Sequence, residues 1–138
     1  MSKNIVVKAN ILIEASYKLD LVEMRLILLA IIEARESKTL IDANSLIKIS
    51  AKKYAEMFDI SLKNSYSMLR GACKTLFDRQ FSYVDWDFDL LSEDTSKIFF
   101  TSRWVSKVGY KPGFVYLSFA PDVIPLISRL EKEFTRYD

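Results

Sequence analysis

The chain has 138 residues, half of them hydrophobic and 13% aromatic, which suits one domain with a sizeable core. It has no histidine and one cysteine, which excludes Ser-His-Asp and Cys-His catalysis, most zinc sites and an internal disulfide. The net charge of +2 is nearly neutral but unevenly spread. Lys48 to Arg79 holds seven bases against three acids, Asp85 to Asp94 five acids and no base, and Lys97 to Lys111 four bases and no acid. Two basic blocks around an acidic one fit a molecule with one face for a polyanion.

Ile5 to Val7 reads as extended and Ala9 to Ala15 as a short helix. The first residues lack the apolar run of a signal peptide. Leu19-Asp20 predicts a cap before a strong helix reaching about Ser37. That helix is apolar nearly all round, which predicts a central buried helix. Its most apolar part, Leu21 to Ile32, is interrupted by Glu23 and Arg25 and is too short to span a bilayer. Thr39 to Ser45 reads as a loop, with Asp42 and Asn44 as turn formers. Leu46 to Ser50 reads as a short strand.

The next stretch is the most informative. Ser50 and Ser61 each suit an N-cap, with Tyr54 and Met57-Phe58 as apolar positions of a first short helix. A longer second helix carries Leu62, Tyr66, Leu69, Cys73, Leu76 and Phe77 at apolar spacing. Lys63, Ser67, Arg70 and Lys74 recur on a different stripe, basic and polar, with no acid in it. This is the pattern of a helix-turn-helix, which turns such a stripe outward toward phosphates or base edges. The alternative is a solvated helix face.

After Arg79 the period changes to two. Val84, Trp86, Phe88 and Leu90 alternate with Tyr83, Asp85, Asp87 and Asp89 in a strand with one apolar and one acidic face. Ser92 to Ser96 reads as a turn and Lys97 to Val108 as a second strand. Gly109 to Gly113 reads as a hairpin loop and Phe114 to Phe119 as a third strand. Pro121 suits a helix start, Pro125 would delay or kink that helix, and Ile127, Leu130 and Phe134 continue it. The chain stops inside this helical pattern, as a domain cut from a longer protein would. The order predicts an α+β winged helix, a helix-turn-helix followed by an antiparallel β-hairpin wing, as a single domain over residues 1–138.

The candidate DNA contacts are Lys63, Asn64, Ser67, Arg70 and Lys74 on the second helix. Lys52 and Lys53 could meet phosphate beside the amides that open the first helix. Arg103, Lys107 and Lys111 would belong to the wing, where Tyr110 could pack on a sugar. Backbone contact is favoured over base readout, because lysine and serine suit phosphates and the stripe has one arginine. Val84, Trp86, Phe88, Phe99, Phe100 and Trp104 give the sheet more aromatic surface than one face usually hides. They form either a core under the helices or an edge that pairs with a second subunit. Asp85, Asp87 and Asp89 share a strand face and could hold Mg²⁺. Without a glycine-rich phosphate loop or a histidine they do not make an enzyme, and no metal or cofactor is expected. Cys73 reads as a small buried hydrophobe, and the cysteine usage suits a reducing cytoplasm.

Several segments resemble plasmid replication initiator (Rep) proteins. They are Val7-Lys8-Ala9-Asn10-Ile11-Leu12-Ile13-Glu14-Ala15-Ser16-Tyr17, Glu23-Met24-Arg25-Leu26-Ile27-Leu28-Leu29-Ala30, the helix-turn-helix, Leu76-Phe77-Asp78-Arg79, Phe119-Ala120-Pro121-Asp122-Val123-Ile124-Pro125-Leu126 and Glu133-Phe134-Thr135-Arg136-Tyr137. The resemblance spans nearly the whole chain. It implies the first of two winged-helix domains, one that dimerises and contacts the DNA backbone of a half-repeat. The second domain, which reads the origin repeats, would follow the final helix and is absent here. The resemblance further implies double-stranded origin DNA, a second copy of the chain, and a host replication initiator and helicase as partners. A rival reading is a dimerisation and regulatory module that leaves DNA binding to the missing domain.

Overall fold

The structure is a computed structural model and describes residues 2–38, 41–85 and 98–135. Its elements run α1 (Ser2–Ser16), α2 (Leu21–Glu36), β1 (Ile47–Ser50), α3 (Ala51–Phe58), α4 (Leu62–Asp78), β2 (Gln80–Asp85), β3 (Ile98–Arg103), β4 (Val105–Lys111), β5 (Phe114–Phe119) and α5 (Ile127–Thr135). A 3₁₀ turn at Ile124–Leu126 precedes α5. This is a mixed fold of helices and antiparallel sheet, as the alternation of periods predicts.

Helix α2 is the central helix. Leu26 to Ile31 are all buried, so both sides of the helix face apolar neighbours. Its start is fixed by a capping box: Glu23 N–H donates to the Asp20 side chain, and Asp20 N–H donates to Glu23 Oε1, each at 2.8 Å. The Glu23 carboxylate is buried and also accepts two bonds from Arg79, at 3.0 and 3.1 Å. The start of α2 is thereby tied to the residue that ends α4. Ile5 to Val7 lie inside α1 and are not extended. Their β-branched run favours a strand, but extending a helix already formed adds a hydrogen bond per residue.

The strands form two sheets. One has the order β1-β5-β4 and the other pairs β2 with β3, all antiparallel. The single strand expected over Lys97 to Val108 is therefore two strands in different sheets. The break falls at Trp104, which is 1% exposed and meets Phe81 edge-on at 5.7 Å. Period-two alternation persists through such a crossing, so the sequence does not show where the partner changes. The loop expected at Gly109 to Gly113 is shorter than its punctuation suggests. Gly109, Tyr110 and Lys111 belong to β4, leaving Pro112-Gly113 as the turn, with Gly113 at φ +84°. Pro121 does not start α5; the helix begins at Ile127, after the 3₁₀ turn that carries Pro125.

Trp86, Phe88, Asp87, Asp89 and the turn at Ser92 to Ser96 lie outside the described residues. Among the described residues no helix is long and apolar enough to cross a membrane.

Candidate nucleic-acid interface

The helix-turn-helix is built by three local devices. Ser50 caps α3 by accepting from Lys53 N–H at 3.2 Å, and Ser61 caps α4 by accepting from Asn64 N–H at 3.3 Å. Between them Asp59 adopts the left-handed conformation at φ +55°, which ends α3 and reverses the chain. On α4, Ser65, Leu69, Ala72, Cys73 and Leu76 are buried against the core. Lys63, Asn64, Ser67, Arg70 and Lys74 are exposed. The stripe thus faces solvent along about three turns of helix. Leu62, expected among the apolar core positions, is instead 59% exposed. It sits in the first turn of α4, where Ile60 and Tyr66 pack on the core and Leu62 does not.

The wing strand packs beside α4. The Arg70 guanidinium lies 5.1 Å from the centre of the Tyr110 ring, so β4 steadies one cation of the stripe. Tyr110 is half-buried, and burial pushes its hydroxyl above the usual range. Lys107 and Lys111 are exposed on β4, and Lys111 Nζ lies 5.1 Å from the Phe114 ring centre. Lys48 joins them: β1 places it opposite Tyr116, with Nζ 4.3 Å from Phe114. Lys48 was absent from the sequence-derived set. The alternation Ile47-Lys48-Ile49 carries the signal, since it puts one cation outward from an otherwise buried strand.

Two of the expected cations have other employment. Lys53 is bound to Glu33, at 2.8 Å, and to Glu36, and both hydrogen bonds push its ammonium pKa up. It joins α3 to α2 and is not a free phosphate ligand. Arg103 is on β3, outside the β4–β5 wing, and donates to the Phe77 carbonyl at 2.7 Å. It fastens the β2–β3 ribbon to the end of α4. By contrast Lys52, Lys63, Lys74, Lys107 and Lys111 are exposed, and among the described residues none has an ion-pair partner.

The aromatic set also divides. Trp104 is core, buried where β3 gives way to β4 and against Phe81, so it offers no surface to a second subunit. Tyr83 and Phe100 face each other across the β2–β3 ribbon, stacked at 5.4 Å. Phe99 lies opposite half-buried Val84 on the other face and is 80% exposed. Cys73 is buried, which pushes its thiol up to about 12. No group of three or more acids, cysteines or histidines that could hold a metal occurs among the described residues.

A capped helix pair turned on a left-handed residue, followed by a β-hairpin against the second helix, defines a winged helix. The model of the family described as "Initiator Replication protein, WH1" matches residues 5–138. Six solved chains match, among them the X-ray structure of the MSBI1.176 WH1 domain, a replication protein isolated from a multiple sclerosis patient. It is 47% identical, with a TM-score of 0.84, over 95% of this chain and 97% of that one. No curated protein matches. The chain belongs to the replication initiator family and is a WH1 domain of that family.

Proposed function

We propose that this WH1 domain acts in plasmid replication initiation by clamping duplex DNA at origin repeats, chiefly through phosphates, and by pairing with a second copy of itself. The observation that carries the DNA reading is the exposed face of α4 from Lys63 to Lys74, which carries no acid. Lys63, Ser67, Arg70 and Lys74 lie along it, and the unpaired Lys107 and Lys111 extend it onto the wing. Phosphates supply the sequence-independent part of binding, and lysines without ion-pair partners have no competing attraction to overcome. Helix α4 enters or skirts the major groove and the wing follows the backbone. No bond is made or broken in this role, so the protein is a non-enzymatic binder that works in the cytoplasm.

The β2–β3 ribbon is the dimer surface of this reading. Exposed Phe99 and Ile98 on β3 favour it, since a two-stranded ribbon with bare apolar residues gains by pairing its edge. Origin-repeat recognition by a following second winged helix, and contact with a host initiator and helicase, complete the proposal on the strength of the family.

The triple variant K63Q/R70Q/K74Q tests it. Duplex affinity measured by fluorescence anisotropy should fall at least tenfold at low salt, while the sedimentation coefficient stays that of the parent. Unchanged affinity would make the domain a dimerisation and regulatory module, with DNA left to other parts of the initiator.

A further inference from the structure

The first turn of α4 puts an exposed apolar residue beside an unpaired cation at the start of the second helix of the pair. Leu62 is its first residue and more than half exposed, although it stands on the side of the helix that becomes core one turn later. Exposed Met57 lies across the turn, at the end of α3. Neither belongs to the hydrophobic cluster, whereas Phe58 and Ile60 between them both pack on it. Leu62 also does no capping work, which Ser61 performs. Exposed Lys63 and Asn64 follow immediately, and no side-chain partner of either is seen among the described residues. Among the described exposed large apolar residues, Leu62 alone lies on α4.

The opening residues of a recognition helix are the ones that reach base edges in the major groove. The one apolar group presented there is the C5 methyl of thymine. A bare leucine with one unpaired lysine beside it matches a site that is apolar at one point and anionic next to it. We infer that Leu62 reads a thymine methyl in the major groove, so that this domain contributes base specificity as well as backbone affinity. Asn64, two residues on, is placed to bond the adenine of a neighbouring pair. This inference rests on the DNA-binding reading above and extends it from phosphate to base.

The test compares two duplexes, alternating dA-dT and the same duplex with deoxyuridine for thymidine. They differ only in the methyl, and the repeat makes the binding register irrelevant. The parent chain should bind the methylated duplex about fourfold more tightly, the equivalent of burying one methyl group. L62A should bind both equally, with the affinity of the parent for the uracil duplex. Its melting temperature should match the parent, because Leu62 lies outside the core. Equal binding of both duplexes by the parent, with affinity still salt-dependent, would overturn the inference and leave phosphate clamping intact. Equal weakening on both duplexes by L62A would also overturn it, as a general contact rather than a methyl reader. Absence of duplex binding by the parent would remove the DNA-binding reading itself.

Discussion

Arg79→Met should destabilise the domain more than Glu23→Gln, although each removes one partner of the same ion pair. Glu23 is fully buried and accepts from Asp20 N–H and twice from Arg79, whereas the Arg79 side chain is 39% exposed. In Arg79→Met the carboxylate stays buried with one backbone N–H as its described partner. Leaving a buried charge uncompensated costs about 3–5 kcal/mol. In Glu23→Gln the amide oxygen still accepts from Asp20, so the capping box survives. Arg79 can then turn to water, and the loss is about 1.5–3 kcal/mol, that of a charge-assisted hydrogen bond. The double variant should recover part of the Arg79→Met deficit, because it removes the stranded charge. Urea unfolding at neutral pH measures all three, with midpoint shifts of roughly 1–3 M for Arg79→Met at ordinary slopes. Equal losses in the two single variants, or strict additivity in the double, would refute the reasoning and reduce the pair to a surface contact.

Trp104→Asp should abolish the cooperative melt, since it removes a core indole worth about 3–5 kcal/mol and buries a carboxylate. Phe99→Asp should instead remain folded and sediment as a monomer at concentrations where the parent associates. Lys52→Gln should reduce the salt slope of duplex binding by about one, whereas Lys53→Gln should leave that slope unchanged and cost at most about 1 kcal/mol of stability, because Lys53 is held by Glu33 and Glu36, which are 28% and 59% exposed. Cys73 should resist a thiol reagent at pH 8 in the native state and react once the chain is unfolded in urea. Its thiol is pushed up in the fold from 9.0 to about 12, so this contribution to stability is fully present below pH 9 and is lost as pH rises toward 12. Rapid native modification at pH 8 would contradict the burial.

The helix-turn-helix was legible because its signals are local. Ser50 and Ser61 are caps whose partners lie three residues away, and the α4 stripe follows from helical spacing alone. The capping box at Asp20 and Glu23 was half legible, since Leu19-Asp20 marks the start of α2. That Glu23 is also held by Arg79, 56 residues on, required the fold. The same distance dependence explains the misreadings. Lys53 looks like any surface lysine until α2 brings Glu33 and Glu36 to it. Trp104 looks like one more residue of an alternating strand until β3 and β4 part company there. Leu62 fits the apolar period of α4, but periodicity says which side a residue faces and not where the core beneath it ends. Nearness in sequence puts Arg103 in the wing, but the chain spends those residues on the other sheet.

The central claim is that the α4 stripe and the wing clamp the DNA backbone. The most direct measurement is the affinity of the domain for a labelled duplex as a function of salt, repeated on a duplex of unrelated sequence. With Lys52, Lys63, Arg70, Lys74, Lys107 and Lys111 each on a phosphate, log affinity should fall against log salt with a slope of about −5 on both duplexes. A slope near zero, or no binding at low salt, would contradict the account.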